Sequence, residues 1–352
     1  MPTSTIVTIV GMLVLAGVVL FVMSRMRAAG GAAGGGWGST GPTEADRLLG
    51  PDGPKLRAAV QGSDVSVLNA RLLAGRGNWD ERGMLVDLLG RVCPRMTLDA
   101  WCQSEPGSPI PFLMRGTQSI EWAWEARGSG GGDTVTEEGW RLFAERLTLA
   151  ERDFQIAAQL DPADPTPFAM LVLVARGLDQ GVPVAREMFQ QAVARDPENS
   201  LAHKQMLVFL TEKWHGSHET MFQFAREAAA RAPDGSDLHA LVIRAHVERW
   251  IYFKLFDGDA AGAAAYASDA KNQQEVAAAW EKSLGSPALR ERMSTIVLHN
   301  DAAFWFWNAK DRPRLQREIQ RIGNAYTEMY WHSMGAEEKV YGDASRWAFG
   351  VG

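Results

Sequence analysis

Two strings in this chain of 352 residues carry side chains that could do chemistry. The first is His215-Gly-Ser-His218-Glu219, in which two imidazoles three apart beside a carboxylate could ligate a divalent metal. A zincin needs both histidines on one continuous helix with the Glu between them. Here Gly216 and Ser217 intervene, and they read as a helix stop and an N-cap, with Glu219 as a first-turn acid. The spacing therefore predicts a turn. The second string holds Glu121 and Glu125, one helical turn apart beside Trp122, Trp124 and Arg127, whose paired carboxylates could do acid/base work. No nucleophile or cofactor motif accompanies them. A Trp face packed inward, with acids solvated or paired to Arg, is the simpler expectation.

No Gly-x-Ser-x-Gly elbow, P-loop, dinucleotide fingerprint or HExxH occurs, and the glycine run at 128–132 lacks the Lys-Ser/Thr pair of a phosphate cradle. The chain thus reads as a non-enzyme with no catalytic residue, no metal and no cofactor. The alternative is a metal-dependent hydrolase or a ligand-binding sensor using the His215/His218 or Glu121/Glu125 region.

Composition narrows the class further. Apolar residues make up 46% of the chain and charged ones 22%, which excludes a disordered protein. A net charge of −6, with no clustered basic face, argues against a nucleic-acid partner. Two cysteines, Cys93 and Cys102, cannot make a disulfide framework or a Cys-rich zinc module. They read as small buried apolar thiols.

Residues 1–4 form a short tail, and residues 5–23 run 19 positions without a charge. As a helix that span is ~28 Å long, about the thickness of a bilayer core. No basic residue precedes it, so it reads as a retained anchor and not as a cleaved signal peptide. Arg25 and Arg27 come directly after it, which predicts the N-terminus outside and the C-terminal domain in the cytoplasm. Residues 24–42 are a Gly-rich linker.

From Thr43 onward the pattern is helical, with Pro and Gly punctuating segments of helical length. We expect an N-terminal helical region over 43–137, repeats over 138–250, a C-terminal helical region over 251–330 and a poorly ordered or peripheral tail over 331–352. In the C-terminal region, helices are expected over 272–284, 287–307 and 313–330. The Phe304-Trp305-Phe306-Trp307 cluster, within a total of thirteen tryptophans, reads as buried between neighbours.

The repeat is the strongest signal. Ala150, Phe154, Ala157 and Pro162 recur 35 residues later as Ala185, Phe189, Ala192 and Pro197. Met221, Ala225, Ala228 and Pro233 come 36 residues on, with Ala in place of Phe. Small residues let two helices approach closely, an aromatic fills the space between them, and proline ends the second helix.

This pattern resembles the tetratricopeptide repeat, with its A-x3-F…P signature. Trp122 to Gly128, Leu160 to Pro167 and Lys213 to Arg226 also resemble strings of a bacterial family of tetratricopeptide-like proteins that brings no catalytic residues with it. The resemblance implies an all-α solenoid of stacked antiparallel hairpins, here with one N-terminal transmembrane helix. It also implies a concave groove that holds a protein or peptide partner. The groove positions map to Lys204, Thr211 and Glu212 in one unit and to Asp237, Arg244 and Glu248 in the next. The function so implied is a membrane-anchored scaffold for protein–protein interaction at the cytoplasmic face of a bacterial membrane.

Overall fold

The computed structural model describes residues 43–128 and 134–351. Every regular element among them is helical, as the pattern required. None of these helices is long and apolar enough to cross a membrane. The span expected at 5–23 and the linker to 42 lie outside the described residues.

The N-terminal region comprises α1 (Glu44–Leu49), α2 (Gly53–Gln61), α3 (Val65–Ala74), α4 (Trp79–Val92), α5 (Arg95–Ser104) and α6 (Pro109–Arg127). Local chemistry sets the boundaries. Thr43 and Asp46 form a reciprocal capping box at α1, and Asp64 and Asn78 cap α3 and α4. Pro94 separates α4 from α5, and Pro109 opens α6, where its missing N–H costs nothing.

The repeat region continues the chain as α7 (Glu137–Leu160), α8 (Thr166–Gly177), α9 (Gly181–Arg195), α10 (Ser200–Phe209), α11 (His218–Arg231) and α12 (Ala240–Leu255). The repeated small residues do what their spacing requires. Ala150, Ala157, Ala185, Ala192, Ala225 and Ala228 are all buried where helices meet. Phe154 is buried as well, against Gly116 of α6, where an added Cβ would lie 2.8 Å from the ring. Phe189 is half-buried and packs edge-on against His203 and Phe224. Pro162, Pro197 and Pro233 lie exposed just beyond the ends of α7, α9 and α11.

The C-terminal region holds α13 (Ala260–Ser268), α14 (Ala270–Lys282), α15 (Thr295–Ala309), α16 (Arg312–Ile322) and α17 (Glu337–Phe349). Two expected helices are shorter than their sequence pattern. The segment 283–294 is irregular, so α15 starts at Thr295 and not at Pro287. Gly323, at φ +54°, stops α16 well before Tyr330. The segment 331–352 is more than a tail: Trp331 is fully buried in a 3-10 turn, and α17 buries Tyr341, Ala344 and Ala348.

Among the described residues two large apolar cores result, with two small clusters among α8, α9 and α10 between them in the chain. One large core joins the helices from α1 to α8, and the other joins those from α10 to α17. The helical array also closes on itself. Arg47 of α1 donates to the Tyr326 carbonyl at 3.1 Å and to Glu328 at 3.2 Å, and Glu44 accepts from the Glu328 backbone N–H at 2.9 Å. Asp80 of α4 accepts from the Ser294 N–H at 2.9 Å and its hydroxyl at 2.5 Å. These contacts leave an interior seam between α4, α10, α12 and α15.

Candidate functional site

The seam is lined by charge. On α4, Asp80 and Asp87 lie seven residues apart and Arg91 four further on, so one helix face carries all three. The same logic places Arg244 and Glu248 on one face of α12. Between them stand His203 and Lys204 of α10, Asp237 of the 3-10 turn that opens α12, and Asp301 of α15. Asp80, Asp87, His203, Lys204, Asp237, Arg244 and Ser294 surround a cavity of about 40 Å3.

The pairings are specific. Arg244, with no exposed surface, lies 2.5 Å from Asp301, itself 1% exposed. The contact is close but poorly aligned, so Nε and Nη2 of Arg244 and Oδ2 of Asp301 make no directed hydrogen bond. Glu248 accepts from Lys213 Nζ at 2.7 Å and from the Tyr330 hydroxyl at 2.9 Å. Arg292 holds Asp237 at 2.5 Å, and Arg91 donates twice to Asp87, at 2.6 and 3.1 Å. Lys204 has no hydrogen-bond or ion-pair partner among the described residues; it sits in the fields of Asp87 and Asp301 on one side and Arg244 and Arg91 on the other.

Protonation states are set by burial. Burial lifts the Asp301 carboxyl to about 6, against the pull of Arg244 and Lys204. It also lowers the Lys204 ammonium and raises Asp237. For Glu248 burial pushes upward, but Lys213, Arg244 and Tyr330 outweigh it and hold the carboxyl below its ordinary range. A buried ion pair of this kind is costly to assemble and more costly to break from one side.

Of the six groove positions read from the sequence, Lys204, Asp237, Arg244 and Glu248 come together in this seam. Thr211 and Glu212 do not: Thr211 donates to the Val208 carbonyl at 2.7 Å, and Glu212 accepts from the His218 N–H at 3.3 Å, closing the α10–α11 turn. Thr211, Asp237, Arg244 and Glu248 are buried, so they line an interior and not an open groove. A double reversal of Lys204 and Arg244 to Glu would set a second carboxylate against Asp301 and test folding instead of capture. Asp87, Asp301, Lys213 and Tyr330 were missed. The one signal in the sequence is Asp301 itself, the one carboxylate in α15.

The other candidates resolve into packing. Ser217 caps α11 reciprocally with Thr220, and a Cβ on Gly216 would run into the Leu210 carbonyl, so only glycine fits that turn. His215 donates through Nε2 to the Arg176 carbonyl at 3.1 Å and stacks on Phe209, while His218 meets Arg249 and Tyr252. The two imidazoles are committed to different neighbours. No group of three or more His, Cys, Asp or Glu among the described residues is placed to hold a metal. Trp122 lies under Arg146, and Trp124 packs on Phe143 of α7, which leaves Glu125 exposed. Phe304, Trp305 and Phe306 are buried, and Trp307 is half-buried against Trp347.

A second, open groove lies between α7, α8 and α9. Ala158 of α7, Phe168 and Leu171 of α8, and Val184 and Met188 of α9 form its apolar lining, with about 420 Å3 of space. Gln155, Gln159, Gln180 and Glu151 make its rim, and Gln180 donates to Glu151 at 2.9 Å. The rim is therefore almost uncharged. No family model, curated protein or solved structure matches the chain.

Proposed function

We propose that this chain is a tetratricopeptide-like scaffold, anchored in a bacterial membrane by residues 5–23, whose helical domain holds a partner protein at the cytoplasmic face. The observation that carries this reading is the groove between α7, α8 and α9: apolar inside, open on one side, and edged by glutamine. Alternating hairpins α8–α9, α10–α11 and α12–α13 support a repeat architecture. An apolar groove with an uncharged rim suits an amphipathic helix of the partner, whose apolar side chains enter while its backbone and polar flanks meet the glutamines. The seam supports the same reading, since the groove positions expected from the repeat are buried there and leave recognition to the groove between α7, α8 and α9.

Val184→Asp and Gln159→Arg test it, because both positions are exposed and neither change disturbs the core. Capture from native membranes should fall at least tenfold in either variant with the helical content unchanged. Undiminished capture by the folded variants overturns the groove assignment.

A further inference from the structure

Composition predicts no basic face on this chain of net charge −6, yet α16 carries one. Leu315, Glu318, Ile319 and Ile322 are buried, so the opposite side of the helix is its solvent side. Arg314, Arg317 and Arg321, three and four residues apart, share that side, and Lys310 and Arg312 extend it at the helix start. The acids that meet the strip are Asp311 and Glu281, on Arg314, and Glu291, on Arg321. Lys310, Arg312 and Arg317 are exposed and form no ion pair among the described residues. They lie over aromatic rings instead: Lys310 is 4.5 Å from the centre of Trp307, Arg312 5.1 Å from that of Trp347, and Arg317 5.6 Å from that of Trp280. Arg312 also donates twice to the Trp347 carbonyl, at 2.6 and 2.8 Å, which sets the exposed Phe349 next to the strip.

Cations around half-buried tryptophans and an exposed phenylalanine suit an interface that is anionic outside and apolar beneath. A bilayer containing anionic lipid is such an interface, and the position of the strip favours it over an acidic protein. Gly323 stops α16, and its carbonyl accepts from the Tyr341 hydroxyl at 2.7 Å. Tyr341 stacks on Tyr326, and Arg47 of α1 lies 4.1 Å over the Tyr326 ring. The strip therefore ends beside the helix at which the chain enters the domain. On the anchor reading above, only residues 24–42 separate that helix from the membrane-spanning run.

We propose that α16 docks the domain on the anionic surface of the bilayer in which the chain is anchored, with Lys310, Arg312, Arg317 and Arg321 among the lipid headgroups and Phe349 entering beneath them. Each basic residue near such a surface strengthens the contact roughly fivefold, and salt weakens it. Docking fixes the attitude of the domain, and so of the groove between α7, α8 and α9, relative to the membrane. The inference rests on the anchor reading, and its test separates the two.

The full-length protein is placed in nanodiscs of phosphatidylcholine alone or with about one third phosphatidylglycerol. Gln320, exposed on the same side of α16, is changed by Gln320→Cys and carries an environment-sensitive maleimide fluorophore. Its emission should shift to the blue in the anionic discs, stay unshifted in the neutral ones, and return at high salt. Lys310→Gln with Arg317→Gln should lower the docked-to-free ratio ~25-fold with helical content unchanged, whereas Lys310→Arg with Arg317→Lys should retain docking. Equal emission in the two kinds of disc, or a shift that survives the glutamine pair, overturns the docking face. Carbonate washing of neutral vesicles reads the anchor separately. Retention after washing with a flat label overturns the docking face and leaves the anchor standing. A chain that washes off has lost the anchor reading, and its label then reports docking when the protein is added to anionic vesicles.

Discussion

Arg244 of α12 and Asp301 of α15 face each other 2.5 Å apart, at a place neither side chain shares with solvent. Each is the other's main compensation, and the pair joins the middle of the chain to its C-terminal helices. Removing one partner leaves a buried charge uncompensated. Arg244→Met should therefore cost ~3–5 kcal/mol, whereas Arg244→Met with Asp301→Leu should recover most of that loss. Urea unfolding of the two single variants and the double gives the coupling energy directly. Additive losses would mean that the two charges do not depend on each other.

Asp301 also sets a pH dependence. Its ordinary value is 3.8 and burial lifts it to about 6 in the folded chain. Between those values the native state holds a proton that the unfolded chain has released. The stability contributed by this group is thus full below about pH 4 and is lost as pH rises through about 6. The difference in unfolding free energy between wild type and Asp301→Asn should change across that interval and level off above pH 7. A difference that stays constant from pH 4 to pH 7 would show that the carboxyl titrates normally.

The helical class, the repeat helices and the α10–α11 turn were all legible in the sequence, because short-range rules govern them. Ser217 caps the helix it opens, Ala150 and Ala157 repeat at helical spacing, and proline closes each second helix. The seam was half legible. Lys204, Asp237, Arg244 and Glu248 stand at the positions that the tetratricopeptide resemblance assigns to a groove, so the resemblance grouped them. It does not reveal what fills that groove, because closure depends on contacts such as Arg47 with Glu328 and Asp80 with Ser294, which are more than 200 residues apart in the chain. The early end of α16 was hidden for a different reason. Apolar residues continue past Gly323 to Trp331, but Tyr330 and Trp331 are buried by a turn and not by a helix.

Repeat packing makes a sharper test of the small-residue rule. A Cβ at Gly116 would sit 2.8 Å from the Phe154 ring, closer than packed atoms allow. Gly116→Ala should lower stability by ~1–3 kcal/mol through overpacking. Phe154→Leu on that background should restore part of the loss, although it is destabilising alone. Thermal unfolding of the three variants checks this. Equal losses with and without the Leu would place the strain elsewhere.

Cys93 and Cys102 are buried, and burial lifts both thiols to about 12. Neither should react with a disulfide reagent at pH 8 while the domain is folded, and both should react once it is unfolded in guanidinium. Stoichiometric labelling of the native protein within minutes would show that α4 and α5 open readily.

The measurement that bears most directly on the proposed role is site-specific photo-cross-linking of the full-length protein in its native membranes. A photoreactive residue at Gln159, on the rim of the groove, is compared with one at Lys204, in the seam. We expect one recurrent partner joined at Gln159, absent at Lys204 and lost when Val184→Asp is added. A partner joined at Lys204 and not at Gln159 would contradict this, and would return recognition to the inner face of the helices.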